Sequence, residues 1–263
     1  VRITFYAWWF GIGDFMKPFE IMYSCLRPFL PPIYRHVYDR LTVLVRESKR
    51  RTGTTPRILD VGGRKSHYTI GLDAKITISE LPRESDVQKQ LHLGITDQMA
   101  IQTRKRRSNI ETIVYDDMVN TRLPRESYDI VVAIEVLEHV EADSRFVMNV
   151  FSLLRPGGSF LMTTPNGDYV TDITNPDHKR HYRREQLVSL LLESFPETEV
   201  YYAVKGSRFR EWGLRSWSPK HPITTLRSMV GNYINWRESM STDLANQPQG
   251  THHLVAIARK SDR

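Results

Sequence analysis

Cysteine is almost absent from this chain: Cys25 stands alone among 263 residues. A single thiol excludes an intramolecular disulfide and any Cys-x-x-Cys metal site, and it suits a reducing cytoplasm. Long apolar runs are missing too. No stretch approaches the roughly 18–20 apolar residues of a membrane span. The aromatic segment Phe5-Tyr-Ala-Trp-Trp-Phe10 is cut short by Gly11 and Gly13, and it lacks the charged, apolar, small-residue order of a secretion signal. There is no internal repeat and no low-complexity tract. What remains is a soluble globular composition, 40% hydrophobic and 25% charged. Lys and Arg exceed Asp and Glu, 37 against 30, for a net charge of +7. That surplus favours an anionic partner: nucleic acid, anionic lipid or a phosphorylated acceptor. It is not clustered enough to choose among them. The tetrabasic run Arg104-Lys-Arg-Arg107 reads as a solvated helix end, where cations are favoured.

The rhythm of the chain changes at Arg57. Residues 1–54 read as a helical and aromatic extension, broken by Pro18, Pro28 and Pro31-Pro32, with apolar residues at helical spacing from Ile33 to Val45. From residue 57, short apolar runs alternate with helical segments. Strands are expected over 57–61, 75–80, 110–115, 128–134, 158–164, 198–204 and 252–259, with helices near 84–107, 142–154 and 184–194. Such alternation predicts an α/β fold: a Rossmann-like, doubly wound, mostly parallel seven-stranded sheet with an antiparallel last strand. Pro156-Gly-Gly158 and Pro165-Asn-Gly167 supply stops and turns. The domains expected are the extension (1–54), a ligand-binding core (55–205), an insertion rich in Trp and Arg (206–250) and the last strand with its tail (251–263). A connection as long as 206–250 is usually a lid or binding element.

Acidic and glycine residues recur where strands end, which is where open α/β sheets bind ligands. Asp60, Gly62 and Gly63 follow the first strand, and Glu80 ends the second, twenty positions after Asp60. In a βαβ nucleotide site, glycines admit the ligand to the backbone and a second carboxylate meets the ribose hydroxyls. Asp116-Asp117 ends the third strand, and Glu135-Val-Leu-Glu-His139 follows the fourth.

Ile58-Leu-Asp-Val-Gly-Gly63, Tyr128-Asp-Ile-Val-Val-Ala-Ile-Glu-Val-Leu-Glu-His-Val140 and Leu153-Leu-Arg-Pro-Gly-Gly-Ser-Phe160 together resemble the class I S-adenosylmethionine-dependent methyltransferases. The group that includes the ubiquinone-biosynthesis O-methyltransferases is the most similar. The resemblance covers residues 55–205 and implies S-adenosylmethionine as cofactor. It implies that Asp60 and the Gly62-Gly63 backbone shape the pocket for the methionine end and that Glu80 holds the ribose hydroxyls. Asp117 or its neighbour Asp116 would meet the adenine amine, Met118 would pack on the ring, and Glu135 would border the methyl-transfer centre.

The glycine loop departs from the family pattern. Arg64 and Ser66 stand where the family's second and third glycines stand, and little chain is left for a helix before the next strand. Either the loop takes another path and Arg64 or Lys65 reaches the cofactor carboxylate, or cofactor binding is impaired. An oxygen acceptor of high pKa needs a base, and histidine suits neutral pH. The catalytic candidates are Glu135, His139 and, in Asn175-Pro-Asp-His-Lys-Arg-His181, His181 or His178. Each histidine also has a plain structural reading, as a helix-start or loop residue. Glu135, Glu138 and His139 with a later histidine are similar to the divalent-metal site of small-RNA 2′-O-methyltransferases. No metal is assigned, because many relatives carry this pattern without one.

The expected reaction is methyl transfer to an oxygen, or a nitrogen, of a small-molecule, quinone or glycan/lipid-precursor acceptor. Two alternatives stay open: an RNA 2′-O-methyltransferase, with nucleic acid as the less favoured partner, and a cofactor-binding accessory protein without catalysis. The expected location is cytoplasmic, with peripheral membrane contact through the aromatic N-terminal segment as an additional reading.

Overall fold

The computed structural model describes residues 16–83, 94–173 and 175–262. Seven strands form one sheet in the order β3-β2-β1-β4-β5-β7-β6: β1 (Arg57–Val61), β2 (Lys75–Glu80), β3 (Ile110–Tyr115), β4 (Tyr128–Ile134), β5 (Leu154–Pro165), β6 (Glu197–Lys205) and β7 (Thr251–Arg259). Strands β1 to β5 run parallel, and β7 lies antiparallel between β5 and β6. The expected fold is therefore the observed one. Strand order reverses between β1 and β4, and the crevice at such a switch point is where α/β sheets hold ligands.

The sheet forms because its strands are apolar on both faces. Every residue of β4 is buried, as a central parallel strand requires. One face carries α4 (Asp143–Leu153) and α5 (Arg184–Leu192), which bring Phe146, Val150, Leu187 and Leu191 onto Val131, Phe160 and Leu254. The other face is covered by α2 (Pro32–Thr52). Its Val37, Leu41, Leu44 and Val45 pack on Ile58, Ile76 and Val132, one apolar stripe at helical spacing. Gly53, in the left-handed region at φ 70°, ends α2 by donating its N–H to the Lys49 carbonyl. Residues 32–52 of the extension are thus a layer of the core. α1 (Pro18–Leu26) and α3 (Asp97–Arg106) flank the β3 edge.

Three expectations change. Only Asp97–Arg106 of the helix expected over 84–107 is seen, and residues 84–93 lie outside the described residues, as does the aromatic segment 5–10. Strand β5 starts at Leu154, before the glycines. Tyr128 pairs with Leu154 but Ile130 pairs with Ser159, so Arg155 to Gly158 bulge from the ladder. Arg107 is not part of a solvated helix end: Arg104 to Arg106 are exposed, but Arg107 is 4% exposed. It turns inward because a buried carboxylate, Asp60, draws it there.

The 206–250 insertion folds as α6 (Arg210–Gly213), α7 (Pro222–Glu238) and a short 3₁₀ turn. A Cβ on Gly231 would lie 2.9 Å from the Phe209 carbonyl oxygen, so only glycine permits this approach. The insertion meets the N-terminal extension: the Asn232 amide donates to the Phe29 carbonyl at 3.1 Å, and the Arg35 guanidinium stacks 3.3 Å from the Trp236 ring centroid.

Candidate active site

A crevice of about 710 Å³ opens at the C-terminal ends of β1, β2, β3 and β4. Its floor is the glycine loop. Gly62 takes φ 67° after β1, and Gly63 to Lys65 form a 3₁₀ turn in which Arg64 has an ordinary negative φ. The backbone therefore does not need a glycine at Arg64, and no α-helix is inserted before β2. A Cβ on Gly63 would meet the Asp60 carboxyl carbon at 2.4 Å.

Asp60 is completely buried beneath this loop and does not line the crevice. It accepts hydrogen bonds from the Tyr68 hydroxyl and the Thr69 hydroxyl, both at 3.1 Å. Arg107 donates to the same Thr69 oxygen at 2.9 Å. Burial pushes the Asp60 carboxyl up, while Arg107 and the hydroxyls oppose that shift. Asp60 thus pins the loop from behind.

Glu80 lines the crevice, and its Oε1 accepts the Arg64 backbone N–H at 3.1 Å. One carboxylate both fixes the loop and faces the cavity. The aspartate pair divides its labour. Asp117 caps the next turn, accepting from the Val119 N–H and the Asn120 amide, both at 3.0 Å. Asp116 spends only Oδ1, on the Arg122 N–H at 3.0 Å. Its Oδ2 and the Ser79 hydroxyl are buried in the crevice wall without partners among the described residues. Met118 is buried beside them.

A second cavity of about 640 Å³ adjoins the first, walled by the N-terminal extension, α6 and α7. Tyr34 and Glu135 line both. Glu135 takes φ 55° although it is not glycine, strain of the kind that functional sites hold. It accepts from the Thr163 hydroxyl at 2.8 Å and from His253 Nδ1 at 3.2 Å. Burial alone would raise its carboxyl, but His253 and Thr163 outweigh burial and hold it below the usual range.

Three further histidines, His139, His178 and His181, lie against one another. His139 lines the crevice, and its Nδ1 lies 3.1 Å from the Asp177 carbonyl. His178 Nδ1 lies 2.9 Å from His181 Nε2, and His181 Nδ1 lies 2.7 Å from the Val170 carbonyl. Carbonyls only accept, so in the neutral rings each of these Nδ1 atoms carries a proton, and His139 and His178 keep free Nε2 lone pairs. Neither His178 nor His181 lines either cavity; of the three, only His139 does. Glu138 is completely buried, with both carboxylate oxygens unpartnered among the described residues. One ligand atom from each of Glu138, His139 and His178 lies within 4.8 Å of the others.

A family model described as methyltransferase domain matches residues 33–230. The chain belongs to that family. Among curated proteins it is 30% identical over 140 residues to a probable S-adenosylmethionine-dependent methyltransferase of Mycolicibacterium smegmatis, covering 51% of this chain and 53% of that one. A counterpart in Mycobacterium tuberculosis is 26% identical over 164 residues, covering 60% and 59%. The chain thus spans little more than half the length of the curated relatives it matches. Among solved structures, the [4+2]-cyclase SpnF superposes with a TM-score of 0.52 at 18% identity, covering 85% of this chain and 80% of that one. That likeness concerns the fold, which does not dictate chemistry.

The curated relatives are named for S-adenosylmethionine, and the residues lining the crevice fit such a cofactor. The unpartnered Asp116 Oδ2 and Ser79 hydroxyl are buried groups that a polar ligand would satisfy. Among the described residues, no helix is long and apolar enough to cross a membrane. Sequence reasoning missed Tyr34, His253 and Arg210. Each lies on a flank or on the last strand, far in sequence from the motifs, and no local spacing marks them.

Proposed function

We propose that the chain moves the methyl group of S-adenosylmethionine to an oxygen of a small-molecule acceptor; a quinol and a glycan or lipid precursor are the acceptor classes to try. The observation that carries this reading is the pair of adjoining cavities with Glu135 and Tyr34 in their common wall. One cavity suits the cofactor and the other the acceptor. When bound, the cofactor supplies an electrophilic methyl on a sulfonium. The protein supplies alignment, exclusion of water and a proton acceptor.

In this reading Glu80 accepts from the ribose hydroxyls, and Asp116, through its free Oδ2, accepts from the adenine amine. Met118 packs on the base, and Gly62 lets the cofactor approach the backbone. Arg64 or Lys65 answers the cofactor carboxylate, while Asp60, Gly63 and Asp117 hold the loops in place. Calorimetric titration with S-adenosylmethionine and S-adenosylhomocysteine, then an acceptor screen, tests the reading. Micromolar binding is expected. A folded, cofactor-free sample that binds neither would sink it, and the chain would then be a scaffold.

The Glu138, His139 and His178 cluster supports a second reading, in which a divalent cation orients acceptor hydroxyls, as RNA 2′-O-methylation would use. Burial and the charge of Glu135 push the Glu138 carboxyl well above the usual range, so a cation would have to displace its proton. Equilibrium dialysis with Mn²⁺ separates the readings: micromolar retention that is lost in His178→Ala supports the metal, and full methyl transfer in chelator eliminates it.

A further inference from the structure

The second cavity contains groups that methyl-donor binding does not use. Arg210 lines it, half-buried, with no hydrogen bond or ion pair engaging its guanidinium among the described residues. Asn235, 1% exposed, also lines it. The Asn235 amide nitrogen donates to the Lys205 carbonyl at 2.7 Å, but its Oδ1 is buried without a partner. His253, from β7, lines the same wall and is tied through Nδ1 to Glu135. An ionised carboxylate only accepts, so His253 donates from Nδ1 and its Nε2 is left able to take a proton. Among the described residues, Glu135 and Val204 are two of the three non-glycine residues at positive φ, and both line this cavity. For β-branched Val204, at φ 61°, that conformation is a marked outlier.

Building on the proposed function, we infer that this cavity is the acceptor site for a hydroxyl compound carrying a carboxylate or phosphate, with Arg210 holding the anion and the Glu135–His253 pair removing the hydroxyl proton. An unpaired guanidinium in a half-buried wall is matched by two oxygens of a carboxylate or phosphate. The lone Asn235 oxygen is matched by a hydroxyl donor. Tyr34 and the surrounding aromatic residues supply a stacking surface for a ring. In the transfer, the acceptor O–H proton passes to His253 Nε2, and the oxygen lone pair forms the O–CH₃ bond. The S–CH₃ bond breaks with its electrons on sulfur, so the sulfonium becomes the neutral thioether S-adenosylhomocysteine. Glu135, ionised throughout, balances the imidazolium, which returns its proton to solvent. The titratable or charged groups facing His253 are Glu135, His36 and His252, with Arg210 beside Glu135 and His252.

The experiment uses the full chain saturated with S-adenosylhomocysteine, titrated calorimetrically with matched probes. The pairs are 4-hydroxybenzoate against 4-hydroxybenzyl alcohol, and glucuronate or glucose 6-phosphate against glucose. An anionic probe should bind at least tenfold more tightly than its neutral counterpart. Arg210→Gln should erase that preference while leaving S-adenosylhomocysteine affinity within twofold, which also certifies the fold. Which pair responds separates an aromatic acid from a sugar acid or sugar phosphate. With the responding probe and S-adenosylmethionine, His253→Gln should lower kcat by about 100-fold or more, the scale of general-base catalysis. KM should stay within about threefold, and the acidic limb of the pH profile should disappear. Equal or absent binding of every anionic probe, or a His253→Gln rate near wild type, overturns the inference. Failure to bind S-adenosylhomocysteine at all would instead overturn the function it rests on.

Discussion

Arg107→Met tests whether the glycine loop rests on a buried charge relay. Arg107 and Asp60 are not in direct contact. The Thr69 hydroxyl donates to Asp60 at 3.1 Å and accepts from Arg107 at 2.9 Å, so the charges compensate through one shared oxygen. Glu20, fully buried, also faces Arg107, but the Ser108 N–H and hydroxyl already satisfy it at 3.0 Å. Removing one member of a buried pair costs about 3–5 kcal/mol, because the other charge is left uncompensated. The intervening hydroxyl argues for the lower end, about 3 kcal/mol, from a total of roughly 5–15 kcal/mol. Methionine keeps most of the side-chain volume, so little of the loss reflects a cavity. Urea unfolding of wild type, Arg107→Met, Asp60→Asn and the double variant closes a cycle, and coupling of about 1–3 kcal/mol is expected. S-adenosylhomocysteine should also bind more weakly to Arg107→Met, since the crevice floor is pinned by Asp60. A loss below about 1 kcal/mol, with coupling indistinguishable from zero, would refute the relay.

Other predictions bear on the site and on acid stability. Glu80→Ala should weaken S-adenosylhomocysteine binding by about 1–3 kcal/mol, the cost of unpairing buried hydrogen-bonding groups; calorimetry showing unchanged affinity would remove Glu80 from the site. Gly63→Ala should destabilise the loop and weaken cofactor binding, since its methyl would press on the Asp60 carboxylate; an unaltered melting temperature and affinity would contradict that. His36, His67 and His252 are each pushed down to about 4, chiefly by burial, so folding disfavours their charged forms. A depressed folded pKa makes the unfolded chain bind more protons, so stability is full above about pH 6.5 and is lost as pH falls toward 4. His67 stacks on Tyr23 at 5.1 Å. His67→Phe should flatten part of that acid loss in a melting-temperature series, and an unchanged slope would exclude His67 as a source.

The sequence by itself determined the sheet, because a parallel sheet buried on both faces demands continuous apolar runs such as β4, and these are visible one strand at a time. It also placed Glu80, Asp116, Met118 and Glu135 at strand ends, where this topology puts its crevice. The short link after Gly63 correctly foretold the missing helix. Tertiary structure decided what depends on distant partners. Arg107 looked solvated beside Arg106, yet the buried charge of Asp60 draws it inward. Asp116 and Asp117 are equivalent as letters, and only their hydrogen bonds show which keeps a free oxygen. His139 likewise separates from His178 and His181 only in the fold, because it lines the crevice and they do not. His253 reaches Glu135 across 118 positions of chain, and Arg210 joins the same wall from an insertion without a motif. Strand periodicity is local and can be read along the chain. A site built from a sheet, an extension and an insertion exists only where packing brings them together.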